Sequence, residues 1–175
     1  MSRPCAAFFL FLAAVMSAFV LDAGVALAVE ITSSDQLSRI EVPEGWMKQA
    51  NLHEDAEIQL FNPQKDLYLI VLSESKMDFD NIGYEEHSGM TRKSLLHNLT
   101  NGKEVGDPIK LDINGMPALQ YEITGSVNKL RVVYLHTTVD GKKTFHQIIA
   151  WCLPSNFQKY RAELETVIKS FKEAE

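Results

Sequence analysis

The sequence contains little cysteine and no cluster of basic residues. Its 175 residues include two cysteines, and 23 acidic residues outnumber its 17 lysines and arginines. Cys5 lies in an N-terminal segment that we expect to be removed on export, so the exported chain keeps only the thiol of Cys152 and has no internal disulfide. The formal charge of −6 argues against binding to nucleic acid, or to an anionic membrane surface, through electrostatics.

Motifs typical of catalytic and cofactor sites are also missing. The sequence has no H-E-x-x-H, C-x-x-C or glycine-rich phosphate loop. Ser126, within Gly125-Ser126-Val127, lacks the G-x-S-x-G pattern of a nucleophile elbow. Cys152 follows the apolar run Ile148–Trp151, which favours a buried, inert thiol over a nucleophile or an interchain disulfide. We therefore predict no enzyme activity, no catalytic residue, no metal site and no cofactor.

The one long apolar run, Ala6–Leu21, lies near the N-terminus. Arg3 precedes it, and Ala26-Leu27-Ala28 supplies the small-x-small pattern that a signal peptidase recognises. The run is shorter than the roughly 20 apolar residues of a spanning helix, so residues 1–28 predict a cleaved signal peptide rather than an anchor. Cys5 precedes the run, which disfavours a lipoprotein. We expect an exported protein with no membrane span after cleavage, in the periplasm by preference, with secretion or a thylakoid lumen as alternatives.

The rest of the chain predicts a single domain behind a short leader. Residues 29–38 are polar and predict a loose leader or a short helix, and residues 39–175 have a length suited to one domain. Apolar runs bounded by turn residues predict three early strands, namely Arg39–Val42, Ala56–Phe61 and Leu67–Ser73. The third is almost wholly apolar, which indicates a central strand covered on both faces.

Helical spacing appears twice. Asn81–Leu99 predicts a helix with Asp80 as N-cap and Asn101-Gly102 as its stop, and its apolar positions are Met90, Leu95, Leu96 and Leu99. Ser155–Phe171 predicts a closing helix that begins with a capping box between Ser155 and Gln158. One face of this closing helix is apolar and consists of Phe157, Tyr160, Leu164, Val167, Ile168 and Phe171.

Two dipeptides predict tight hairpins between these helices. Asn114-Gly115 predicts a type I′ turn between the strands Pro108–Ile113 and Pro117–Thr124. Asp140-Gly141 predicts a second turn of the same type, between Asn128–Val139 and Lys142–Cys152, and Gly125-Ser126-Val127 links the two hairpins. Four such strands form an antiparallel meander. Together with the helices they predict an α+β domain built as a three-layer α/β/α sandwich with a mainly antiparallel sheet.

Five histidines invite a metal or catalytic interpretation, and each has a simpler one. His53-Glu54-Asp55 and Glu85-Glu86-His87 favour solvated segments, since consecutive residues on a turn or helix seldom converge on one ion. A two-residue turn at Asp140-Gly141 places His136 opposite Phe145 and His146 opposite Leu135. The two imidazoles then project from opposite faces of the sheet and cannot share a ligand.

Trp46 is the one candidate binding residue. It follows the turn Pro43-Glu44-Gly45, where a partly exposed aromatic ring would suit a partner surface, although packing over the turn is favoured. The surroundings of Trp151, Phe145 and Phe157 favour core positions.

Three segments, in order, resemble the PsbP-like fold superfamily. Pro43-Glu44-Gly45-Trp46 is similar to an early P-x-G-W turn, Asn114-Gly115-Met116-Pro117-Ala118 to an N-G-x-P-A hairpin, and Ile168-Lys169-Ser170-Phe171 to a terminal I-x-S-F. The superfamily includes the lumenal PsbP subunit of photosystem II and exported bacterial DcrB-like proteins. The resemblance implies the fold and a binding or assembly role, mostly without catalysis, and it carries over no functional residue.

These observations favour a non-catalytic binding or assembly factor for another envelope protein. The alternatives are a carrier of a lipid or small hydrophobic ligand and, less favoured, a hydrolase. An exposed apolar patch around Trp46 would support the first, and an enclosed apolar cavity would support the second. A cleft with histidine and carboxylate side chains within hydrogen-bond distance would support the third.

Overall fold

A computed structural model describes residues 28–174, so the signal peptide predicted at residues 1–28 lies, apart from Ala28, outside the described residues. The chain forms eleven strands and two α-helices within that range. In order they are β1 (Val29–Thr32), β2 (Ser38–Val42), β3 (Met47–Lys48), β4 (Ile58–Asn62), β5 (Leu67–Ser75), α1 (Tyr84–His97), β6 (Thr100–Glu104), β7 (Ile109–Ile113), β8 (Met116–Val127), β9 (Leu130–Asp140), β10 (Thr144–Cys152), α2 (Pro154–Lys169) and β11 (Lys172–Glu173).

An antiparallel sheet of eight strands forms the middle of the molecule. Its order is β3-β4-β5-β10-β9-β8-β6, and β7 pairs with the same edge of β8 as β6 does. The meander predicted from residue 108 onward is confirmed, because β7, β8, β9 and β10 pair in sequence. The continuous apolar run of β5 is also explained, since β5 lies inside the sheet between β4 and β10.

The two helices pack on opposite faces of this sheet, which confirms the α+β sandwich. Alternate residues of each central strand separate the core into two parts. The larger part lies beneath α2 and includes Phe157, Leu164 and Val167. The smaller part lies towards α1 and includes Leu99, Ile123 and Tyr134.

A second, small sheet replaces the predicted leader. Residues 29–32 form β1, which pairs with β2, and β11 pairs with the other side of β2. The prediction of a loose leader or short helix there was wrong. The segment is too short to show its strand character by periodicity, and its pairing partner supplies the order.

The hairpin turns differ in how far they follow the sequence. Asn114 and Gly115 both have positive φ, and Ile113 pairs with Met116, as a type I′ turn requires. The link predicted at residues 125–127 is instead the end of β8, and Asn128 and Lys129 form a tight turn with positive φ at both positions. At the next turn Asp140 pairs with Phe145, so the predicted two-residue turn at Asp140-Gly141 was wrong.

The helix ends also differ from the predicted caps. α1 begins after Gly83, too far along for Asp80 to cap it, and it ends at Asn98. Asn101-Gly102 lies within β6 at a break in its register with β8, rather than at the helix stop. α2 begins one residue earlier than predicted because Pro154 occupies its first turn, where proline is favoured, and the Ser155–Gln158 capping box does not form.

Candidate functional site

A row of aromatic side chains crosses the sheet on the face that carries α1. Phe61, Tyr68, Trp151 and Tyr134 lie directly opposite one another on β4, β5, β10 and β9. The ring centroids of Tyr68 and Trp151 are 5.3 Å apart with an interplanar angle of 8°, and those of Phe61 and Tyr68 are 4.7 Å apart. Facing cross-strand rings of this kind stabilise a sheet, and they also form a continuous flat apolar surface.

Most of this row has no helix above it. α1 packs on β6, β8 and β9, and its Leu95 and Leu96 cover the far end of the row. Over β5 and β10 an open groove of about 700 Å³ remains. We call it the aromatic groove, and its apolar lining consists of Leu52, Tyr68, Val127, Leu130, Val132, Tyr134, Trp151, Cys152 and Leu153.

The turn between β8 and β9 forms one end of the aromatic groove. We call residues 127–131 the hairpin tip. Val127 and Leu130 pair across the turn and are 37% and 57% exposed, although large apolar side chains normally lie inside. Asp66, in the turn before β5, is the one carboxylate that lines the groove. The groove is therefore aromatic on its floor, aliphatic at one end and only weakly charged.

A second cleft, of about 300 Å³, lies at the opposite end of the strands. Nε2–H of His146 donates a hydrogen bond to Oε1 of Glu173 at 2.8 Å, and the Ser73 hydroxyl donates to Nδ1 of His146 at 2.9 Å. Burial lowers the pKa of His146, and the hydrogen bond with Glu173 opposes that effect. Although burial raises the pKa of Glu173, hydrogen bonds from His146 and from the Lys142 backbone bring it below its usual value.

This serine–histidine–glutamate chain meets the criterion set for a hydrolase only in part. His146 and Glu173 line the cleft, but Ser73 does not. Ser73 is a residue of β5 paired across the sheet with His146, so it occupies a strand and not the exposed turn of a nucleophile elbow. The His146 ring also packs against Phe171, with centroids 4.8 Å apart. These contacts tie the C-terminal segment to the sheet.

The remaining histidines lie apart from one another. His136 pairs with Ile149 and His146 with Val139, so the predicted register was wrong by four residues. A register error of an even number of residues does not change which face a side chain is on, because side chains alternate every residue along a strand. The prediction that the two imidazoles project from opposite faces is therefore confirmed. His87 is fully buried rather than solvated: its Nε2–H donates to Glu74, and its ring stacks on Phe145.

The other predicted positions carry no cluster of reactive groups. His53, Glu54 and Asp55 are exposed in the loop before β4, as a solvated segment should be. Cys152 is buried, as predicted, and burial raises the pKa of its thiol to about 11, which favours an inert thiol. Within residues 28–174 no group of three histidine, cysteine or carboxylate side chains is placed to hold a metal ion. Nor does any helix in that range have the length and apolarity to cross a bilayer.

Comparison with known proteins shows similarity in structure but not in sequence. No protein-family model and no curated protein matches the sequence. The cyanobacterial PsbP of Synechocystis sp. PCC 6803 is similar over 87% of this chain and 96% of that one, at 12% identity and a TM-score of 0.64. LpqN of Mycobacterium tuberculosis, involved in cell envelope biogenesis, is similar over 85% of this chain and 91% of its own, at 14% identity and a TM-score of 0.61.

The chain has the PsbP-like fold. A Pseudomonas aeruginosa protein of unknown function shares it at 7% identity and a TM-score of 0.53, over 82% of this chain and 94% of that one. The resemblance stated from three short motifs is thus confirmed for the fold. Identities this low carry no site residue from one protein to another.

Within the PsbP-like fold, Trp46 lies in the core and not on the surface. It is 8% exposed, packs under α2, and its indole N–H donates to Glu163 at 2.9 Å. This position agrees with the favoured prediction, that Trp46 packs over the turn. The alternative of a partly exposed ring is not found, because α2 closes over it. Trp151, expected in the core, is only half-buried and forms the floor of the aromatic groove.

Sequence analysis missed the aromatic groove as a unit. Tyr68, Tyr134 and Trp151 are far apart in the chain, and only the register of β5, β9 and β10 aligns them. The exposed apolar pair at the hairpin tip gave the one local signal, since Val127 and Leu130 flank two turn residues.

Proposed function

We propose that this protein is an exported, non-catalytic factor that binds another envelope protein and supports its assembly or stability, with the aromatic groove as the binding surface. The observation that carries the proposal is the row Tyr68–Trp151–Tyr134, which lies in an open groove beside exposed Leu130. Uncovered apolar surface of this kind marks an interaction site in an otherwise well-packed domain.

The residue types in the groove support a protein partner. Tryptophan and tyrosine dominate the binding energy of protein interfaces, because their large rigid rings lose little entropy when covered. The tyrosine hydroxyl and the tryptophan indole N–H can also form hydrogen bonds with the partner. LpqN, which has the same fold, is involved in cell envelope biogenesis, and the predicted signal peptide would export this chain to the envelope.

The non-catalytic part of the proposal is supported by the second cleft. His146 has both ring nitrogens hydrogen-bonded, and the only hydroxyl on it belongs to a strand residue that does not line the cleft. A nucleophile must reach the substrate, and backbone N–H donors must converge on the developing oxyanion. The β-ladder around Ser73 directs backbone N–H groups along the sheet plane, away from such a position.

A carrier of a lipid or small hydrophobic ligand is the second candidate, and the groove volume is the observation that favours it. About 700 Å³ falls within the range of small-molecule sites. Such sites usually enclose most of the ligand, whereas this groove is only partly enclosed. The openness favours the protein partner.

Native mass spectrometry of the tagged protein, purified gently from the envelope of its own host, tests the proposal. We expect a stoichiometric protein partner on the wild-type chain, and we expect Trp151→Ala with Tyr68→Ser, at two half-buried groove residues, to release it. Met77→Ser is the matched control, because Met77 is 93% exposed and lies outside the groove. A bare monomer that holds a lipid or small molecule would overturn the proposal in favour of the carrier.

A further inference from the structure

The hairpin tip combines exposed apolar and cationic side chains at one extremity of the sheet. Val127 and Leu130 project on the groove face, and Lys129 occupies the turn between them with φ 69°. Arg131 follows on the opposite face of β9. The turn is tight because Val127 pairs directly with Leu130, so these side chains are held together rather than on a loose loop.

The cations at this end have no acidic partners. Arg131 and Lys103 line one pocket of about 330 Å³ together with Asn101, Thr124, Gly125 and Ser126, none of which is acidic. Among the ion pairs of residues 28–174, none includes Lys103, Lys129 or Arg131. The chain carries a formal charge of −6, so these three unpaired cations form a local positive region on a protein of negative net charge.

We propose that the hairpin tip is a peripheral membrane contact that docks on an anionic phospholipid surface, with Lys103 beside it. Lys103, Lys129 and Arg131 pair with lipid phosphates, and Val127 and Leu130 enter the interface between headgroups and acyl chains. The proposal goes beyond the proposed function. Its cations are independent of that function because they do not line the aromatic groove, whereas Val127 and Leu130 belong to both surfaces. Together, the two proposals would place the aromatic groove next to the bilayer.

The chemistry of the tip matches this occupant on three counts. Apolar side chains on a rigid turn can bury into the interface without unfolding. Tryptophan favours the same layer of the membrane, and the half-buried Trp151 lines the same groove as Val127 and Leu130. Each lysine or arginine close to an anionic leaflet strengthens binding about fivefold. Asp66, at the other end of the groove, is the one carboxylate of the groove lining that opposes it.

Sedimentation with phospholipid vesicles measures the contact. The exported protein is mixed with vesicles of phosphatidylglycerol and phosphatidylcholine in equal parts, or of phosphatidylcholine alone, at low ionic strength. We expect binding to the anionic vesicles, weakened by added salt, with a blue shift of the Trp151 fluorescence. Replacing Lys103, Lys129 and Arg131 with Gln should weaken this binding about 100-fold. Val127→Ser with Leu130→Ser should also weaken it and abolish the blue shift.

A charge-matched control separates a local contact from net charge. Lys142, Lys143 and Lys169 are exposed at the opposite end of the strands and of α2, so their replacement with Gln changes the total charge equally. At about 0.1 M salt this variant should bind anionic vesicles at most about twofold more weakly than the wild type. Its cations lie at the far end of strands such as β10, which has 9 residues, and so beyond the Debye length of about 10 Å from the tip. Equal losses in both triple variants, equal binding to neutral vesicles, or no sedimentation of the wild type would overturn the proposal.

The two proposals fail separately. The Gln variant of Lys103, Lys129 and Arg131 is the one that separates them, because none of these residues lines the aromatic groove. If it leaves the vesicles and keeps its protein partner in the mass spectrum, the membrane contact is supported. The opposite result is a wild-type chain that fails to sediment with vesicles while the tip variants lose the protein partner. That result would assign the tip to the protein partner and overturn the membrane contact.

Discussion

His136 lies fully buried beneath α1, and neither ring nitrogen has a hydrogen-bond partner in the structure. Burial disfavours the charged imidazole and outweighs the opposing interaction with the Gln147 side chain, so the pKa of His136 falls from 6.5 to about 4. Between these two values the unfolded chain binds more protons than the folded one. The free energy of unfolding therefore falls as the pH falls from 6.5 towards 4.

His136→Leu should stabilise the protein and flatten this pH dependence. The substitution removes an unpartnered buried polar group, which costs about 1–3 kcal/mol, and it removes the proton uptake on unfolding. Urea unfolding at pH 7 and pH 5 measures both effects. We expect a gain at pH 7 and a larger gain at pH 5. Equal gains at the two values would contradict the assigned pKa, and a loss at both would show that the ring has an unrecognised partner.

The two tryptophans lie in different surroundings, so their replacement should lower the free energy of unfolding by different amounts. Trp46 is buried under α2, so Trp46→Ala should lower the free energy of unfolding by about 3–5 kcal/mol. Trp151 is half-buried on an open face, and Trp151→Ala should cost only about 1 kcal/mol. Chemical denaturation of the two variants checks the ranking. A larger cost at Trp151 would mean that the groove is part of the core rather than a binding surface.

At the scale of elements, β11 fastens the C-terminal segment to the main sheet. Glu173 accepts hydrogen bonds from His146 and from the Lys142 backbone N–H. A Cβ on Gly141 would lie 2.0 Å from Oε1 of Glu173 and 2.8 Å from the Thr144 carbonyl oxygen. Glycine is needed here for close approach, and its φ is not in the left-handed region.

Gly141→Ala and Gly89→Ala should therefore change stability in opposite directions. Alanine at residue 141 displaces Glu173 and should cost about 1–3 kcal/mol through the lost hydrogen bonds. Gly89 lies inside α1, where an added Cβ meets nothing within 4 Å, so alanine should add about 0.5–1 kcal/mol. Thermal unfolding of both variants gives the signs. Stabilisation by Gly141→Ala would contradict the assigned contact.

The local spacing of apolar and turn residues was enough to predict elements that have one clear buried face. It failed where a contact with a residue distant in the sequence determines the structure. The alternation and turn residues of β7 and β8 predicted their hairpin, and the apolar face of α2 predicted its packing. Asp140-Gly141 has the composition of a two-residue turn. In the structure, however, Gly141 lies where Glu173 approaches the backbone closely, and the loop between β9 and β10 is longer than two residues. α1 hides polar residues such as His87 and exposes Met90, so its apolar spacing misrepresented its inner face.

The candidate site was beyond sequence analysis for a related reason. A single tryptophan in a sequence does not show which helix covers it. α2 covers Trp46 through the Glu163 contact, while α1 leaves Trp151 open. Only the assembled sheet brings Tyr68 and Tyr134 to either side of that ring. Net charge was equally uninformative about the hairpin tip, whose cations are local.

At the scale of the whole molecule, the two ends of the sheet differ in character. One end is closed by β11 and its hydrogen bonds to His146, and the other presents the aromatic groove and the hairpin tip. In the proposed function, the partner binds at the end that presents the aromatic groove. The account therefore depends on the aromatic groove being occupied by another protein.

Site-specific photo-crosslinking inside the envelope tests that claim most directly. A benzophenone amino acid replaces Trp151 in one variant and Met77, outside the groove, in another. After irradiation of intact envelopes, we expect one defined protein adduct from residue 151 and none from residue 77. Adducts of residue 151 with lipid alone, or the same protein adducts from both residues, would contradict it.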